Sequence, residues 1–182
     1  LVTCALLTER KGVHHIIKVM KLLKNEGVET SLVIIGPVSD HEYVDRLKTD
    51  IKISSLEKNV IFKGELSSKD IIEEYVNSDL GVFLSREETF GLVPIEMLAT
   101  NLPTIASKTG VVKDFFDKGL NIKNLCFVDF NSYNDISVVI KYFKANGSFT
   151  ERSDGLEVSS LFSNTSICKE YNDYYLNILQ ET

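Results

Sequence analysis

Leu80-Gly81-Val82-Phe83-Leu84, running directly into Ser85-Arg86-Glu87-Glu88-Thr89-Phe90-Gly91-Leu92-Val93-Pro94-Ile95-Glu96, is the stretch on which the fold turns. Small and apolar residues without alternation suit a strand buried on both faces, as in a parallel sheet covered by helices. Pro94 suits the first turn of a helix, where its missing N–H leaves no hydrogen bond unmade. Strand, polar loop and helix make one βα unit, and the unit repeats on both sides. Candidate strands fall at 2–7, 31–35, 60–62, 80–84, 103–106 and 125–128. Between them Val13, Ile16, Ile17, Met20 and Leu23 recur at helical spacing, as do Tyr43, Val44, Leu47 and Ile51. A third stripe, Ile71, Ile72, Tyr75 and Val76, follows Ser67 and Asp70, a pair spaced like a capping box. A fourth is Ile136, Val139, Ile140 and Phe143. This alternation predicts an α/β fold, a Rossmann-like doubly wound parallel sheet of about six strands with flanking helices. Such sheets bind ligands beyond the carboxyl ends of their strands, near the switch point of strand order.

Past Asn146 the pattern breaks. Residues 147–160 read as a polar connection, and a terminal helix is expected over 163–180, with Ile167, Tyr171, Tyr174 and Ile178 on one face. The 182 residues suit a single domain spanning 1–182. A net charge of −6 with scattered acidic residues disfavours nucleic acid as a partner, but not one small anion in one pocket. Cys4, Cys126 and Cys168 are odd in number and widely spaced, which suggests neither a disulfide framework nor a metal site. They read as reduced thiols, and the expected location is cytoplasmic. No apolar run nears the ~18 residues of a membrane span. The chain opens inside a strand without Met, so it is expected to be an excised piece of a longer protein.

Neither a G-x-x-x-x-G-K-[ST] phosphate loop, a G-x-G-x-x-G fingerprint nor a G-x-S-x-G elbow is present. The loop after residue 84 has its own chemistry. Gly91 lets backbone approach a ligand, and free N–H groups at the following helix start suit a phosphate. Glu88 can accept hydrogen bonds from sugar hydroxyls and Glu96 from a ribose diol. Each residue taken singly has a plainer reading. Glu96 suits a first helical turn electrostatically, Glu87 and Glu88 suit a solvated loop, and Phe90 suits a core. His14 and His15 are expected on the surface of the first helix rather than in a general-base role.

Taken together, Glu88-x-Phe90-Gly91-Leu92-Val93-Pro94-Ile95-Glu96-Met97-Leu98-Ala99 resembles the signature of the family 4 retaining glycosyltransferases, the group 1 type with the GT-B fold. Lys11-Gly12-Val13, Ile34-Ile35-Gly36, Val60-Ile61-Phe62-Lys63-Gly64 and Leu102-Pro103-Thr104-Ile105-Ala106-Ser107 resemble further stretches of that family, in order along the chain. The resemblance implies the C-terminal, donor-binding half of the enzyme, with a preceding acceptor domain missing here. Lys11 would neutralise the donor diphosphate and Glu88 would hold the sugar hydroxyls, these two being the catalytic pair. Backbone around Phe90, Gly91, Leu92 and Val93 would contact sugar and phosphate, Glu96 the ribose, backbone around Lys63 and Gly64 the base, and Gly36 would be a ligand-facing glycine. No metal and no cofactor are implied, the nucleotide diphosphate sugar being a substrate. The full enzyme would transfer with retention, often in polysaccharide biosynthesis and sometimes at a membrane surface, while this piece alone would be inactive.

The sequence departs from the family at several points. Leu6 stands where the family carries an Arg five residues before its Lys, and Arg10 and Arg86 are the candidates to replace it. Gly110-Val111 stands for a pair of glycines, Asp114 for a common Glu, and Asn101 for a Gly that Asn can replace in a left-handed cap. The loss at Leu6 motivates an alternative, a non-catalytic nucleotide-sugar-binding or regulatory module of the same descent. A GT-B phosphorylase or epimerase is a third reading, disfavoured by the paired glutamates.

Overall fold

Parallel pairing demands a crossover between consecutive strands, and every gap between the apolar runs is long enough to hold a helix. The computed structural model describes residues 1–119, 122, 124–146, 162, 166 and 169. It contains β1 (Val2–Cys4), β2 (Leu32–Ile35), β3 (Val60–Gly64), β4 (Gly81–Phe83), β5 (Thr104–Ser107) and β6 (Leu125–Val128). Between and after them lie α1 (Val13–Asn25), α2 (His41–Ile53), α3 (Ser68–Val76), α4 (Val93–Ala99), α5 (Gly110–Asp117) and α6 (Tyr133–Asn146). The strands form one sheet in the order β3-β2-β1-β4-β5-β6, and every pairing is parallel. The order reverses between β1 and β4, which sets the loops after these two strands side by side.

Both faces of the sheet are covered, which explains the unbroken apolar runs. Val82 joins a core with Val13, Ile16, Met20, Leu47 and Ile136 of α1, α2 and α6. Its neighbour Phe83 joins the opposite core, with Ile95, Leu98, Val112 and Phe115 of α4 and α5. Successive strand residues point to opposite faces, so this division follows from the pleat. All nine residues of the first two predicted helical stripes are buried.

Three expectations need correcting. The first strand was expected to continue to residue 7, but β1 stops at Cys4 and Leu7 makes only an isolated parallel bridge to Val38. On α3 only Tyr75 is fully buried, while Ile72 and Val76 are 52% and 63% exposed. This helix packs through Tyr75 and the partly buried Ile71 against Val2 of β1, Ile35 of β2 and Met97 of α4, so a narrow face suffices. Its Ser67 cap is as expected: the Ser67 hydroxyl accepts the Asp70 N–H at 3.3 Å. His15 is 6% exposed rather than on the surface, because α6 and the residues before it close over α1: Phe130 and Tyr133 contact the ring. Helix α5 was not anticipated, although Val111, Val112 and Phe115 carry its buried face. The connection at 147–160 lies outside the described residues. So does the terminal helix of 163–180, except Ser166 and Lys169, which are helical.

Candidate functional site

Chain geometry at the carboxyl edge of the sheet is set by two glycines. Gly12 has φ 67°, and a Cβ there would lie 1.8 Å from the carbonyl oxygen of Leu84. The turn carrying Lys11 therefore rests directly on the end of β4, at a distance open only to glycine. Gly36 has φ 133° and would place a Cβ 1.9 Å from the carbonyl oxygen of Ala5, so the loop after β2 crosses the end of β1 equally closely. The Gly36 N–H donates to Gly64 O at 2.8 Å, which ties in the end of β3, and Lys63 pairs with Glu74 at 3.1 Å.

These approaches bring Lys11 and Glu88 together across 77 positions of sequence: Lys11 Nζ donates to Glu88 Oε1 at 2.5 Å. The two side chains are 14% and 10% exposed. A charge pair this sheltered from water is screened little, so it orients both groups strongly. Lys11 keeps further donors for an anion, and Glu88 keeps a second carboxylate oxygen for hydroxyl groups.

Around this pair the loop after β4 is laced to its neighbours. The Arg86 N–H donates to Arg10 O at 2.8 Å, and the Ser107 hydroxyl donates to Ser85 O at 2.6 Å. The Val111 N–H donates to Phe90 O at 2.7 Å. Gly110, at φ 53°, would bring a Cβ to 2.2 Å from that same oxygen, so its close approach is to the loop backbone. Ser107 was singled out by no chemical argument, since a buried hydroxyl holding a carbonyl leaves no pattern in sequence. Asn101 adopts φ 57°, the left-handed conformation expected of a Gly replacement after α4.

Phe90 and Leu92 are 46% and 52% exposed, and Gly91 between them has φ 80°. The Phe90 ring meets Phe162 edge-on at 5.8 Å, so it is shared between loop and solvent. Leu92 caps α4 without any side-chain hydrogen bond. Glu96, in the first turn of α4, is exposed, yet the partial burial of its carboxyl still raises its pKa above the ordinary range. Nearby, burial raises the Cys4 thiol, and the Glu96 charge adds to the effect. The same two causes, with Cys4 between them in size, raise the buried Tyr75 phenol.

Leu6 is 42% exposed. Neither candidate replacement joins Lys11 and Glu88. Arg10 and Arg86 instead line a separate cavity of about 460 Å³ with Glu9, His14, His15, Glu87 and Phe130.

The model of the family described as glycosyl transferases group 1 matches residues 1–154. The chain belongs to the group 1 glycosyltransferases. Among group 1-like relatives, the capsular polysaccharide biosynthesis glycosyltransferase CapM of Staphylococcus aureus is 26% identical over 180 residues, covering 97% of this chain and 45% of CapM. Among solved structures, that of Anabaena Alr3699/HepE in complex with UDP superposes with a TM-score of 0.83 at 20% identity, over 97% of this chain and 48% of that one. The C-terminal domain of the group 1 family protein LpcC from Francisella tularensis superposes with a TM-score of 0.74 at 23% identity, over 87% of this chain and 83% of that domain. The fold is thus that of GT-B glycosyltransferases. The chain spans about half the length of the relatives it matches. Among the described residues, no helix is long and apolar enough to cross a membrane.

Proposed function

We propose that this chain is the C-terminal, donor-binding half of a retaining glycosyltransferase that uses a nucleotide diphosphate sugar. The observation that carries the reading is the contact of Lys11 with Glu88 at the switch point between β1 and β4. Similar support comes from HepE, solved with UDP, with UDP and glucose, and with UDP-glucose, and from LpcC, whose C-terminal domain was solved alone. In this reading Lys11 faces the diphosphate and stabilises the charge that develops on it as the glycosidic bond breaks, a role like that of an oxyanion hole. Glu88, oriented by Lys11, holds the sugar hydroxyls. The backbone of Phe90, Gly91, Leu92 and Val93 lines the sugar and phosphate, and Glu96 takes the ribose diol. Gly36, Lys63 and Gly64 flank the base. A preceding acceptor domain completes the enzyme, so the 182 residues alone bind donor without transferring it.

The exposed Leu6 favours a second reading, a binding or regulatory module that has given up catalysis. One missing charge-assisted contact to the diphosphate is worth ~1.5–3 kcal/mol. Calorimetric titration with UDP, GDP and ADP sugars, on the wild type and on Glu96→Ala, separates the two. The donor-binding reading expects saturable binding of one nucleotide class, weakened by Glu96→Ala. Failure of the wild type to bind any of them would favour the second reading.

A further inference from the structure

The cavity beside the site has a donor inventory of its own. Tyr43, 2% exposed, accepts the His14 backbone N–H at 3.1 Å through its hydroxyl, which lies 3.0 Å from His14 Nδ1. The buried hydroxyl thus meets His14 through both the backbone N–H and the ring Nδ1. Tyr133 repeats the arrangement: it accepts from Lys18 Nζ at 3.3 Å and lies 2.8 Å from His15 Nδ1. The Lys18 ammonium can only donate to this hydroxyl, which can still give its own hydrogen to His15. With Nδ1 facing a phenol on each ring, Nε2 is the nitrogen left to a ligand, and no partner for either Nε2 is found among the described residues. His15 is more than nine-tenths buried, and both rings line the cavity.

The other cationic groups on this cavity are also uncommitted. Arg46 is paired with Glu9 and Glu42, but the Arg10 and Arg86 guanidinium groups have no carboxylate partner among the described residues. The Arg86 N–H to Arg10 O bond holds their two backbones together. Glu9 is drawn outward by Arg46 at 3.1 Å, which leaves Glu87 as the one lining carboxylate without a cation among the described residues. Phe130 supplies an apolar wall. Two guanidinium forks and two imidazole rings around about 460 Å³ make a receptor for a tetrahedral oxyanion.

We propose that this cavity is a second anion site, distinct from the donor site, which binds a phosphate group through Arg10, Arg86, His14 and His15. Lys11 and Glu88 do not line it, so a nucleotide and a phosphate can be held at once. The phosphate can be free or carried on a sugar, and the chemistry of recognition is the same.

Titration of the whole chain by NMR, observing the imidazole Nε2 and Cε1 resonances, tests the assignment. The probes are inorganic phosphate and glucose 6-phosphate, each with and without saturating UDP. Expected are saturable shifts of the His14 and His15 signals that persist with UDP bound. Tighter binding of glucose 6-phosphate than of inorganic phosphate assigns the site to a sugar-borne phosphate, and equal binding assigns it to the free ion. Arg10→Gln with Arg86→Gln should weaken phosphate by roughly ten-fold or more while leaving UDP affinity unchanged. Glu87→Gln, which removes the opposing carboxylate, should tighten it. Absence of saturation, competition by UDP, or full binding by the double variant would overturn the second site. UDP affinity, read in the same samples, reports separately on the donor-binding reading.

Discussion

At the scale of single residues, Gly12 matters as much as the charged groups it positions. A side chain there meets the Leu84 carbonyl oxygen and must also adopt φ 67°. Gly12→Ala is expected to cost at least ~2 kcal/mol, lowering Tm by about 4–8 °C in a domain of this size. Thermal denaturation measures it, and a wild-type Tm would mean that the turn relaxes freely. Glu96 makes the opposite kind of prediction. Its carboxyl has a higher pKa folded than unfolded, so ionisation weakens the fold. That penalty is fully present above the folded value and absent below the unfolded value of ~4.3. Glu96→Gln should therefore be more stable than the wild type at pH 7, with the gain disappearing below about pH 4. Denaturant titrations at both pH values check the sign.

At the scale of elements, the pairing of α1 with α6 rests partly on a histidine that must stay neutral. Burial, then His14 and Lys18, lower the His15 pKa from 6.5 to about 4. As pH falls below 6.5 the unfolded chain takes up a proton that native His15 refuses until about 4, so stability is lost across that window. His14 shifts in the same direction. His15→Gln should flatten the acid limb of stability between those values, read by urea unfolding at stepped pH. An unchanged limb would show that His15 titrates alike in both states. The sequence carried the six strands and the stripes of α1 and α2, because apolar spacing records burial directly. It did not carry the burial of His15, which depends on Phe130 and Tyr133 arriving from more than a hundred positions away. Nor did it carry the exposure of Ile72 and Val76, since α3 satisfies its packing through Ile71 and Tyr75, less than its full apolar stripe. In the candidate site, Lys11 and Glu88 could be named from the motifs, but their contact could not, because it depends on Gly12 meeting β4. The place of Arg10 and Arg86 in another cavity was equally hidden, as side-chain direction in a short turn leaves no periodic trace.

At the scale of the whole molecule, the sheet and the cores on both its faces argue for independent folding of this chain. A nucleotide that binds only the native state stabilises it by mass action, by ~2.7 kcal/mol at a hundred times Kd. Whichever nucleotide the calorimetric titration identifies should, at that level, raise Tm by about 5–10 °C. In parallel, incubation with a labelled nucleotide sugar and common sugar acceptors should yield no transfer product. Product from the isolated chain would mean that these 182 residues contain an acceptor site as well.

The backbone bonds from Arg86 to Arg10 and from Val111 to Phe90, with the Ser107 hydroxyl on Ser85, leave little slack around Lys11 and Glu88. Under the donor-binding reading, a nucleotide arriving at such a floor finds it already shaped, with no slow rearrangement to wait for. In stopped-flow mixing, the observed association rate should climb linearly with nucleotide concentration and show no plateau.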